Sequence, residues 1–206
     1  MTRRDFLLLG VAAGAFATFS PNLLLAQDAD LPEVPELVLG NPEATVTLTE
    51  YASYTCPHCA TFHDAVFKPL KRDYIDTGKI KFIYREVFFD RYGLWAAMVA
   101  RCGGEMRYFG IQEMLYKGQR DWAASDNPND VVDNLRRIGR AAGLDNDQLD
   151  ACLSDGDMAQ AMVAKHQTDS EADGITSTPS LVLNGVKHSN MSFAELSRLI
   201  DAELAK

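Results

Sequence analysis

Cys56 and Cys59, in the run Cys56-Pro57-His58-Cys59, are the residues whose type and spacing most directly specify chemistry in this chain. Two thiols so placed can close into a disulfide and reopen by thiolate attack, which is thiol–disulfide exchange. What flanks them sets their geometry. Ala44 to Tyr51 alternates Val46, Leu48 and Tyr51 with threonines, as a strand does. From Pro57 onward Cys59, Phe62, Val66, Phe67 and Leu70 recur at helical spacing, and a proline suits a first turn that needs no donor. Cys56 is therefore expected to cap a helix, where unpaired N–H groups and the positive end of the helix dipole favour a thiolate. The imidazole of His58 is expected to stabilise that anion further. Cys59, one turn further in, is expected to be the shielded sulfur that resolves a mixed disulfide formed through Cys56.

Two other readings use the same residues. Cys56, Cys59 and His63 are three ligands of the type that zinc or copper takes, but there is no second Cys-x-x-Cys and no obvious fourth ligand. A purely structural disulfide across so short a loop at a helix start would stabilise little. Redox exchange is preferred to both, and no metal or cofactor is expected.

The N-terminus reads Thr2-Arg3-Arg4-Asp5-Phe6-Leu7, then an apolar stretch through Phe19, then Leu23-Leu24-Leu25-Ala26. Residues 1–26 look like a twin-arginine export signal cleaved after Ala26. The run from Phe6 to Phe19 is shorter than the roughly 20 residues of a membrane span. Export would place the chain in an oxidising bacterial periplasm. There, Cys102 and Cys152 are expected to form a structural disulfide, the alternative being two buried free thiols. The net charge of −9 disfavours nucleic acid as a partner, and loss of Arg3, Arg4 and Asp5 would leave the mature chain more acidic still.

The elements that must position the thiols follow from pattern. Residues 27–36 read as a flexible leader. Lys79 to Phe88 reads as a second strand, and Ser180 to Ser189 as a hairpin turning at Asn184-Gly185. Ser192 with Glu195 fits a capping box that opens a last helix to Ala205. Between Arg91 and Asp173 strand signals vanish and helical periodicity takes over, with Trp95, Trp122 and the methionines read as packing. The expected fold is α/β, with residues 37–90 and 174–206 forming one domain and 91–173 a helical subdomain inserted into it.

Taken with the Cys-Pro-His-Cys site, this order of elements from Val38 to Leu204 resembles the thioredoxin superfamily, and within it the DsbA-like thiol:disulfide oxidoreductases. The fold implied is thioredoxin-like with the inserted helical subdomain. In that family a cis proline from a distant loop faces the thiols, and Thr178-Pro179 stands in the corresponding place, immediately before the hairpin. Glu50 matches an acidic residue beneath the active site that shuttles protons to the inner cysteine; its plain alternative is a solvated glutamate. The resemblance further implies an oxidase acting on reduced exported proteins and reoxidised by a DsbB-like, quinone-linked membrane protein. Thr178 departs from the Val-Pro of enteric oxidases, which keeps a reductase or isomerase open. Isomerases of the superfamily carry a separate dimerisation region, and the leader to Glu36 is too short to be one, so a monomer is expected.

Overall fold

The computed structural model describes residues 31–206, so the export-signal reading of residues 1–26 lies outside the described residues. Strand β1 (Leu37–Gly40) turns into β2 (Thr47–Ala52) through Gly40 at φ 83°, where a Cβ would stand 2.3 Å from the Ile80 carbonyl oxygen. Only glycine fits that approach. β2 then delivers the chain to Cys56 and to α1 (Pro57–Phe62).

This helix does not stay regular. A π-helical turn over His63–Phe67 leads into α2 (Lys68–Leu70), and a second follows over Lys71–Ile75. Pro69 lies in the middle and lacks the N–H of a regular ladder, and the widened turns on either side give its ring room. Strand β3 (Lys81–Glu86) returns parallel to β2, with Glu50 in register with Tyr84.

The helices α3 (Arg91–Cys102), α4 (Gly104–Lys117), α5 (Gln119–Trp122), α6 (Pro128–Ala141), α7 (Asn146–Ser154) and α8 (Gly156–Ala172) follow without a strand among them. The chain closes with β4 (Ser180–Leu183), β5 (Val186–Ser189) and α9 (Phe193–Leu204). The sheet order is β1-β3-β2-β4-β5, antiparallel except for β2 with β3. This is the thioredoxin-like α/β fold with a helical insert.

Local signals explain the ends of the elements. Asn184 and Gly185 both take positive φ, 47° and 83°, which is what a two-residue hairpin turn demands. Ser192 and Glu195 satisfy each other's backbone in a capping box at the start of α9. Sheet and helical block share one core, in which Leu48, Phe82 and Leu181 from the strands join Val99, Ile111, Leu115 and Leu135 from the helices. Trp122 is buried there, and its indole N–H donates to the Leu115 carbonyl at 2.7 Å. Cys102 and Cys152 are bonded, tying the end of α3 to α7 with their Cα atoms 5.8 Å apart.

Several boundaries differ from the sequence reading. β1 was not anticipated, because its four residues follow directly on a proline- and acid-bearing segment. β2 begins at Thr47 rather than Ala44, and β3 keeps only Lys81–Glu86 of the longer run. The end of the leader is anchored: Glu36 accepts from Lys165 Nζ at 2.6 Å, and the Pro35 carbonyl accepts from Arg101 Nη1 at 3.1 Å. Ion pairs with residues far along the chain leave no trace in a local pattern. Among the described residues no helix is long and apolar enough to cross a membrane.

Candidate active site

The site begins at the C-terminal end of β2, a central strand whose residues from Leu48 to Ala52 are all buried. Ser53, Tyr54 and Thr55 carry the chain out of the sheet, and Cys56 takes the extended conformation of an N-cap at φ −81° and ψ 117°. Pro57 occupies the first turn of α1, as its missing donor allows. The loop is held from outside. Thr55 Oγ1 donates to Asp90 Oδ2 at 2.7 Å, while the same carboxylate caps α3 by accepting from Gly93 N at 2.9 Å. Gln119 Nε2, from α5, donates to the carbonyls of Tyr54 at 2.7 Å and Cys56 at 3.0 Å.

Within this frame the two thiols diverge. Cys56 is half-buried and Cys59 has no exposed surface. The Cys56 pKa is lowered to about 5, first by a hydrogen bond from the Cys59 thiol, against an opposing effect of burial, and then by Thr178 and the backbone N–H groups of Cys59 and His58. Cys59 is driven far the other way, by burial first and by that same bond to Cys56. One sulfur is an accessible thiolate at neutral pH and its partner a protected thiol.

The other expected residues fall into place unevenly. The Thr178–Pro179 bond is cis, and Cys56 Sγ lies 3.6 Å from the Thr178 carbonyl oxygen. Thr178 Oγ1 is buried with no hydrogen-bond partner among the described residues, and Thr178 lowers the pKa of both sulfurs. His58 is exposed, and its backbone N–H is among the groups that lower the Cys56 pKa.

Glu50 is 2% exposed, which removes the solvated alternative, and burial raises its pKa to about 8. Glu50 and Tyr84 are register partners on adjacent strands, so their side chains share one face of the sheet. The Tyr84 hydroxyl meets that of Tyr116 at 2.6 Å, and charge on either Cys59 or Glu50 bears on Tyr116. A second buried pair, Tyr54 with Tyr108 at 2.7 Å, continues to Glu86, which is held by Arg101. His63 is buried, with its Nε2 at 2.6 Å from Glu113. Among the described residues no cluster of three His, Cys, Asp or Glu side chains is placed to hold a metal ion. Sequence reasoning missed Gln119, Asp90 and the tyrosine pairs. Only Asp90 carried a signal, as a capping residue just before the helical periodicity begins.

A family profile described as Thioredoxin matches residues 33–202. The chain belongs to the thioredoxin family. Among solved structures of similar fold is alpha-DsbA1 of Wolbachia pipientis, 30% identical with a TM-score of 0.76 over 85% of this chain and 94% of that one. A Rickettsia bellii protein provisionally named protein-disulfide oxidoreductase is 34% identical over 167 residues, covering 81% of this chain and 63% of its own length. The chain thus spans a little under two thirds of that relative. Disulfide bond formation protein D of Bacillus subtilis is 25% identical over 81% of this chain and 76% of its own length.

Proposed function

We propose that this thioredoxin-family chain is a DsbA-type thiol:disulfide oxidoreductase that works as an exported dithiol oxidase. The observation that carries the reading is the opposed state of the two sulfurs at the start of α1, Cys56 stabilised as thiolate and Cys59 held as thiol. A reduced form stabilised in this way makes the disulfide a strong oxidant. The names of the Rickettsia and Bacillus relatives and the likeness to alpha-DsbA1 support the same chemistry.

In the proposed cycle a client thiolate attacks Cys56 Sγ of the Cys56–Cys59 disulfide. Cys59 leaves as a thiolate and takes up a proton, for which the buried carboxyl of Glu50 is the donor. A second client thiolate then attacks the client sulfur of the mixed disulfide, and Cys56 departs as its stabilised thiolate. Two electrons have passed from client to enzyme. The cis Thr178–Pro179 loop borders the sulfur, and beside it an open depression of about 600 Å³ is lined by Val87, Phe89, His166, Ile175, Thr176 and Ser177. Phe89 is 61% exposed there, an apolar contact for an unfolded client. Periplasmic residence, action as a monomer and reoxidation by a DsbB-like, quinone-linked membrane protein complete the proposal.

The test is the equilibrium of Cys56 and Cys59 against defined glutathione mixtures, read by trapping free thiols. A potential near roughly −120 mV supports a disulfide donor, whereas one near roughly −270 mV makes the protein a reductant and overturns the oxidase reading.

A further inference from the structure

The carbonyl of Cys56 is crowded with donors. The backbone N–H of Cys59 lies 3.1 Å from it, that of Ala60 3.3 Å, and Gln119 Nε2 3.0 Å. A carbonyl oxygen has two lone pairs, so three donors exceed what it can satisfy well. The N–H groups of His58 and Cys59 in this same turn are among the causes that lower the Cys56 pKa. The Gln119 side chain is buried on α5, and its one amide nitrogen serves the carbonyls of Tyr54 and Cys56 together.

We propose that Gln119 is a positioning residue of the thiol-exchange centre: by holding the carbonyls of Tyr54 and Cys56 from α5, it fixes the N-cap backbone that aims the first-turn N–H groups of His58 and Cys59 at the Cys56 sulfur. The helical insertion thereby sets the nucleophile's charge from outside the thioredoxin core, through a contact that never touches sulfur. The inference deepens the function proposed above and rests on it for its meaning, but its readout does not, because the ionisation of Cys56 is measured on the protein alone. A chain that proved to be a reductase would still show the effect.

The variant is Gln119→Met, which keeps length and apolar packing and removes the donor. In the reduced protein the midpoint of thiolate absorbance should rise by about half to one pH unit, the scale of one ordinary net hydrogen bond. The glutathione equilibrium should move roughly three- to tenfold toward the disulfide, or roughly 15 to 30 mV. A folded Gln119→Met protein with an unchanged thiolate midpoint overturns the proposal, even if its stability has fallen, since a merely structural role would lower stability alone. Should that variant fail to fold, the unaltered reduced protein still decides. The backbone N–H resonance of Cys59 should shift with the same midpoint as thiolate absorbance while the Gln119 side-chain protons stay protected from exchange. A Cys59 N–H indifferent to the titration, or a freely exchanging Gln119 amide, refutes it.

Discussion

Replacing Glu50 by glutamine should change the slope of stability against pH, and the size of the change follows from where the carboxyl lies. Burial raises its pKa from 4.5 to about 8, and no other cause contributes. In the unfolded chain the same group ionises near its ordinary value. Between those two pH values unfolding releases a proton that the fold retains, so the unfolded state gains as pH rises. The contribution of Glu50 to stability is therefore intact below about pH 4.5 and is lost progressively as pH climbs through 8. The slope is about 1.4 kcal/mol per pH unit, which accumulates to roughly 3 kcal/mol by pH 7. That is a large share of a typical stability of about 5–15 kcal/mol. Urea unfolding at a series of pH values, with both disulfides intact so that no cysteine titrates, reads the effect directly. Glu50→Gln adds a constant offset for its buried amide but should lack the decline seen in the wild type. Parallel profiles for the two proteins between pH 5 and 8 would refute the assignment of a buried, protonated carboxyl.

Two further outcomes test the division of labour among the cysteines. Cys59→Ser should accumulate mixed disulfides through Cys56 on non-reducing gels, whereas Cys56→Ser should trap none; equal trapping by both would contradict the burial of Cys59. Replacing Cys102 and Cys152 together by serine removes a crosslink of sequence separation 50 and should cost roughly 4 kcal/mol in denaturant unfolding, leaving the thiolate midpoint of Cys56 unchanged. A shifted midpoint would show that this disulfide acts on the redox site.

Much of this was legible because the informative signals are local. The β2–α1 junction, the Asn184-Gly185 turn and the Ser192–Glu195 box each depend on residues adjacent in sequence, and the chain spells them out. The inserted block was legible from its loss of strand periodicity. Contacts between distant residues were not. Glu36 with Lys165, Gln119 with the Cys56 carbonyl and Tyr84 with Tyr116 join segments that only the fold brings together. His58 shows a subtler limit. Its position between the thiols pointed to the ring, whereas the sequence gives no sign that its backbone N–H also serves the sulfur. The π-helical turns around Pro69 were invisible for a related reason, since a proline announces a broken ladder without saying how the helix absorbs it.

The complete burial of Cys59 also governs how the site meets chemical damage. A peroxide can reach only the outer sulfur, and the accessible, low-pKa thiolate of Cys56 is the kind that peroxides oxidise to a sulfenic acid. The shielded thiol one turn away is the nearest nucleophile to that lesion. Its attack expels water and closes the Cys56–Cys59 bond, so the first step of oxidative injury ends in the working disulfide rather than on the way to an irreversible sulfinic acid. The geometry that gives the two sulfurs different tasks in exchange thus also makes the centre self-repairing.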